Sequence, residues 1–177
     1  MAELKKTKPC GGAAAFTLIE IIVVVVILSI AAMVAVPMMS SAADIQVRSA
    51  ANRLAADLDY AKNLAITHQQ NFTVVFNDSA TPSNGYQIQD STATAVTNPI
   101  SGRGFTVLFA NEHGINRVRV NALAFDPATS KAITFNYLGS PLIDGADLNN
   151  GQITLKADGF SLKVVVEPMT GYVTITP

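Results

Sequence analysis

One carboxylate, Glu20, stands in a run from Phe16 to Val36 that is otherwise almost wholly apolar, with only Thr17 and Ser29 adding hydroxyls. At about 1.5 Å per residue, a helix of that length spans roughly 30 Å, the thickness of a bilayer hydrocarbon core. A charged side chain near mid-bilayer costs roughly 2.5–3.5 kcal/mol on insertion scales and less toward an interface, so its retention implies a partner; the plainer reading is a side chain snorkelling to the headgroups. Other candidates for chemistry are weaker. His68 and His113 are far apart in sequence, no G-x-S-x-G elbow occurs, and no paired histidines have metal-ligand spacing. His68 suits the negative end of a helix, and His113 sits in the turn-like Asn111-Glu112-His113-Gly114. The stretch from Asp144 through Asp147 to Asn150 offers oxygens to calcium but lacks the EF-hand spacing, so it reads as a polar turn. No enzyme, metal or cofactor is expected.

Arg103, Arg117 and Arg119 are the candidates for nucleic-acid contact. Arg117 and Arg119 alternate with Val118 and Val120, however, as the solvated face of a strand does. Removing the residues ahead of Phe16 takes away three of the 12 Lys+Arg and one of the 13 Asp+Glu, leaving a net charge near −3. That balance gives no general attraction to phosphate, and nucleic acid is not an expected partner.

The elements around these residues follow from patterning. Lys5, Lys6 and Lys8 precede the apolar run, which places the N-terminus in the cytoplasm and the rest of the chain beyond the membrane. A secretory signal would carry its small residues after the apolar segment; here Gly11 to Ala15 come before it. Cys10 also precedes the run, so an exported remainder holds no cysteine and relies on its own core. Past Pro37, which is expected to kink or break the helix, Val47, Ala51, Leu54, Leu58, Ala61 and Ala65 recur every three or four residues. They form one helical face running to about His68, with Arg53 and Asp57 placed to pair on the surface. The period then drops to two, predicting strands at 72–76, 85–89, 105–109, 117–124, 132–137, 152–156, 161–166 and 172–176. Asp158-Gly159 makes a hairpin of the sixth and seventh, and residues 90–104 read as a mobile loop. The fold class is α+β: a long N-terminal helix packed on a C-terminal antiparallel β-sheet domain.

Ala15, then Phe16-Thr17-Leu18-Ile19-Glu20, an aliphatic run and Pro37, resembles the class III leader and N-terminal helix of type IV pilins and type II secretion pseudopilins. The resemblance implies a leader over 1–15, a transmembrane and assembly helix over 16–36, its amphipathic continuation over 37–68 and a β-rich domain over 69–177. It also implies cleavage by a prepilin peptidase between Ala15 and Phe16, methylation of Phe16, and a Glu20 carboxylate that neutralises the N-terminal amine of a neighbouring subunit. The family usually has glycine before the cut, where this chain has Ala15; cutting after Gly12 would displace the amine from Glu20. Within the family the later matches are to GspH and FimT-like proteins, through Arg48 to Ala61, Leu123-Ala124-Phe125-Asp126-Pro127, and Val164 to Ile175. The Gly-Arg-Val common in the closing turn is Gly171-Tyr172-Val173 here.

The implied function is that of a structural subunit, a GspH-like minor pseudopilin acting in protein secretion. It would lie first among inner-membrane lipids with its domain in the periplasm, then in the pseudopilus beside other subunits and secreted proteins. The alternatives are a minor type IV pilin or FimT-like protein for adhesion, twitching or DNA uptake, and an uncleaved anchor carrying a periplasmic binding domain.

Overall fold

The computed structural model describes residues 16–77, 84–127 and 130–177, leaving aside the side chains of 34–41. The expected leader, including Ala15, lies outside the described residues, as does the side chain of Pro37 with the bend expected there. The chain divides into two compact units, Met1–Met38 and Met39–Pro177. Helix α1, Leu18–His68, contributes to both.

In the second unit the helical stripe is buried as its spacing predicts. Val47, Ala51, Leu54, Leu58, Ala61 and Ala65 are each 0% exposed, and Ala43 and Ala50 join them. Five of these eight are alanine, which lets strands approach the helix closely, while Leu54 and Leu58 supply volume worth about 2 kcal/mol each on burial. His68 closes the helix, its Nδ1 lying 3.1 Å from the Leu64 carbonyl.

Among the described residues, ten strands form two antiparallel sheets. The first has the order β3-β2-β1-β5-β6-β7, built from β1 Phe72–Asn77, β2 Gly85–Gln89, β3 Thr106–Leu108, β5 Ala132–Phe135, β6 Pro141–Ile143 and β7 Ala146–Asp147. The second has the order β10-β9-β8-β4, built from β4 Arg119–Asp126, β8 Asn150–Ala157, β9 Phe160–Val166 and β10 Val173–Thr176. Strand alternation decides what faces inward: Phe72, Val74 and Phe76 on β1, Ile153 and Leu155 on β8, and Val164 and Val166 on β9 share one core with the helical stripe. The sheets are tied where Phe76 meets Phe125, ring centroids 5.9 Å apart, and where the buried Asn84 side-chain oxygen accepts the Val120 N–H at 3.0 Å.

Two glycines are required by contact. A Cβ on Gly85 would sit 1.9 Å from the Val107 carbonyl oxygen, and one on Gly171 would sit 2.6 Å from that of Gly139. Gly171 also takes a left-handed φ of 58° in the turn between β9 and β10, and its carbonyl accepts a bond from Lys62 Nζ on the helix at 3.1 Å.

The structure departs from the sequence expectations in four places. Strand 105–109 shrinks to β3 and passes into a 3₁₀ turn at Phe109–Asn111. Strand 117–124 begins two residues later and carries a bulge between Val120 and Ala122. The stretch from Asp144 to Asn150, read as a polar turn, holds strand β7 and the first residue of β8, and only Asp144-Gly145 turns the chain, between β6 and β7. The 90–104 segment is organised: Asp90 accepts the Thr92 and Thr94 amides at 2.8 and 3.0 Å, and bridges pair Gln89 with Ala95 and Thr97 with Gly104. Its polar residues bond one another locally, which is why composition alone read as a loop.

Candidate functional site

The helical part of the first unit begins at Thr17. Its hydroxyl accepts the Glu20 amide at 3.3 Å and its carbonyl accepts the amides of Glu20 and Ile21 at 3.1 and 3.3 Å, so Thr17 is the N-cap and Glu20 the third residue of the first turn. Thr-x-x-Glu is the capping-box spacing, a signal the sequence reading did not use. Only half of the box is made: the Glu20 carboxylate has no hydrogen-bond or ion-pair partner among the described residues, and it is exposed at the positive end of the helix dipole.

Around Glu20 every large side chain is exposed, from Phe16 at 75% through Val24 at 47% to Met33 at 82%. The exposure runs right round the helix, unlike the single stripe of a helix that packs on its own domain. Ser29, the other polar residue, is satisfied internally, its hydroxyl donating to the Val25 carbonyl at 2.7 Å. Leu18–Met33 measures about 24 Å along a helix axis, short of a roughly 30 Å hydrocarbon core. No helix among the described residues is long and apolar enough to cross a membrane.

A second polar grouping, in the β-sheet unit, lies under the 97–104 loop. Arg53 forms a bidentate pair with Glu112, Nη1 to Oε2 at 2.9 Å and Nη2 to Oε1 at 3.3 Å, while its Nε lies 3.9 Å from Asp57. Tyr86 donates its hydroxyl to Asp57 Oδ2 at 2.5 Å. Burial raises the Asp57 carboxyl above its usual range against the opposing pull of Tyr86 and Arg53; burial first, then the Asp57 charge, holds the Tyr86 hydroxyl well above its own. The hydrogen bond that Arg53 donates to Glu112 raises the guanidinium above its usual range. These groups bond one another, so their role is to fasten the turn at Glu112 and strand β2 to the helix. Beside them a groove of about 400 Å³ is floored by Tyr60 and Phe105, whose rings stack at 5.6 Å. The sequence placed Arg53 with Asp57 on the surface. The Glu112 link, between residues 59 apart in the chain, had no local signal.

The remaining candidates are separated. Arg103 lies between β2 and β3 of the first sheet, whereas Arg117 precedes β4 and Arg119 begins it, in the second. All three are exposed, and Arg117 Nη1 meets Asp158 Oδ2 at 3.5 Å. His113 lies in a turn on the surface. Among the described residues no group of three or more His, Cys, Asp or Glu is placed to hold a metal ion.

An α+β chain whose N-terminal helix packs its second half on antiparallel sheets, and whose first turns expose an apolar surface around one carboxylate, defines a pilin-like protein. The model of the family of type II transport protein GspH matches residues 50–170, well over half of the 177, and the chain belongs to that family. Its members are pilin or pseudopilin structural subunits, which assemble with others of their kind. No curated protein matches the chain. Two crystal forms of the type IV minor pilin FimU of Pseudomonas aeruginosa PAO1 align with it at 15% identity and a TM-score of 0.46. The alignments cover 73% of this chain and 92% of FimU in one form, and 74% and 88% in the other.

Proposed function

We propose that this protein is a minor subunit of a type II secretion pseudopilus. It is made as an inner-membrane precursor, cut by a prepilin peptidase between Ala15 and Phe16, methylated at Phe16, and built into the fibre through its N-terminal helix. The observation that carries the reading is the segment from Phe16 to Met33, helical from Leu18, apolar and exposed on all sides around Glu20, which has no partner among the described residues. Such a surface needs lipid before assembly and neighbouring helices after it. A carboxylate five residues into the trimmed chain offers the one charge in that surface to a neighbour's terminal amine. Family membership supports the subunit role, and the sequence continues apolar from Met33 to Val36, completing a bilayer-spanning length.

N-terminal mass spectrometry of the protein from its own membranes, with and without the prepilin peptidase, tests this. A peptide beginning at N-methyl-Phe16 that disappears in the peptidase mutant is the expected result. An intact Met1 end in both strains would leave an uncleaved anchor instead. A deletion strain that secretes normally but loses pilus-dependent motility would move the subunit to a type IV pilus.

A further inference from the structure

We infer that the outward face of the sheet β10-β9-β8-β4 is a docking surface for a short acidic segment of another protein, gripped by Arg119, Lys156 and Lys163. Strand register brings these three cations together. Arg119 is directly opposite Lys156, and Lys163, opposite Thr154 on the next strand, is one diagonal step from Lys156. Opposite positions lie about 5 Å apart and diagonal ones about 7–8 Å, so Arg119 and Lys163 each fall within one Debye length of Lys156. All three side chains are exposed, and none has an ion-pair partner among the described residues. Like charges directly opposite on a sheet are destabilising, and this pair is uncompensated among the described residues.

The acids nearby do not cancel the patch. Asp158 is committed to Arg117 at 3.5 Å. Asp126 shares the face but sits at the other end of β4, about 20 Å away at strand rise, and the exposed Glu167 lies just past the end of β9, about 13 Å along the strand from Lys163, both beyond a Debye length. Between the cations the face carries Gln152, Thr154, Ser161 and Thr176, hydrogen-bonding groups that suit carboxylates and a peptide backbone.

The size of the patch chooses its occupant. A nucleic-acid duplex carries a charge about every 1.7 Å and would extend past three cations onto a domain whose remaining balance is acidic. No aromatic residue shares the outward positions of β4, β8 and β9, and the exposed Tyr172 stands ahead of β10 beside Glu167, at the end away from the cations, so single-stranded bases have nothing to stack on within the patch. A segment with a few Asp or Glu residues fits within the patch and meets no opposing charge.

The test uses the full chain in a nonionic detergent with two probes, a short fluorescent peptide of alternating Glu and Gly and a short labelled DNA duplex. At low salt the peptide is expected to bind saturably, to weaken as salt rises, and to lose about tenfold in affinity in the triple variant R119Q/K156Q/K163Q. Arg103→Gln, on the other sheet, should leave binding unchanged. The triple variant should melt no lower than the parent, because it removes repulsion, so lost binding would not reflect lost structure. Equal peptide binding by parent and triple variant, tighter binding of the duplex, or no saturable peptide binding at low salt would each overturn the assignment.

Discussion

The two halves of α1 are both rich in apolar residues, but they meet different surroundings. From Ala43 to Ala65 the buried apolar residues keep to one face, most of them alanine, and this chain's own strands cover them, with Ile45 the one large apolar side chain left exposed. From Leu18 to Met33 they are large, occupy every face and stay uncovered. The arrangement of the apolar residues, more than their number, separates the half that folds within the chain from the half that needs something beyond it. Substitutions in the two halves should therefore act on different observables.

The largest contrast is expected at Glu20. Glu20→Val should leave the protein in the membrane and its β-sheet unit as stable as before, while blocking incorporation beside wild-type subunits; crosslinking to neighbouring subunits in membranes measures this. Normal incorporation would remove the role proposed for the carboxylate. Leu54→Ala should do the reverse, costing the folded unit about 2–5 kcal/mol by emptying a buried site, whereas Leu28→Ala should leave denaturant unfolding of that unit unchanged. An equal loss from both would erase the distinction between the halves.

Gly171→Ala is expected to cost about 1–2 kcal/mol, because alanine resists a φ of 58° and its methyl would press on the Gly139 carbonyl. A thermal melt reads it directly. The smallest effect concerns Asp57. Its carboxyl titrates above the ordinary aspartate value of 3.8 in the folded chain, chiefly through burial. The stability linked to it is therefore complete below that value and is lost as pH rises through the raised folded value. Asp57→Asn, which still offers Tyr86 an acceptor, should flatten this fall in stability above pH 3.8. A variant melting with the parent's pH dependence would assign that dependence to other groups.

Legibility in the sequence followed the range of the interaction. The helical stripe, its end at His68 and the Asp158-Gly159 hairpin were readable because three- and four-residue spacings and two-residue turns are local. Pro141 hid β6, since proline is tolerated at the first position of a strand yet reads as a break. The pairing of Arg53 with Glu112 depends on a turn folded back from far along the chain. The bulge after Val120 hid the basic face. Strict alternation puts Leu123 and Phe125 on the side of Arg119, whereas the extra residue Asn121 turns them inward and sets Ala122 and Ala124 beside the arginine's face. Glu20 stood out in sequence, but its half-made capping box required the Thr17 geometry.

The bond from Lys62 to the Gly171 carbonyl links positions 109 residues apart. On a chain synthesised from its N-terminus, the helix emerges long before the turn that clasps it. The clasp closes only when the turn ahead of β10 has been made, so the unit stays unfinished through the synthesis of every strand before it. A subunit truncated before Gly171 would leave Lys62 with nothing to hold.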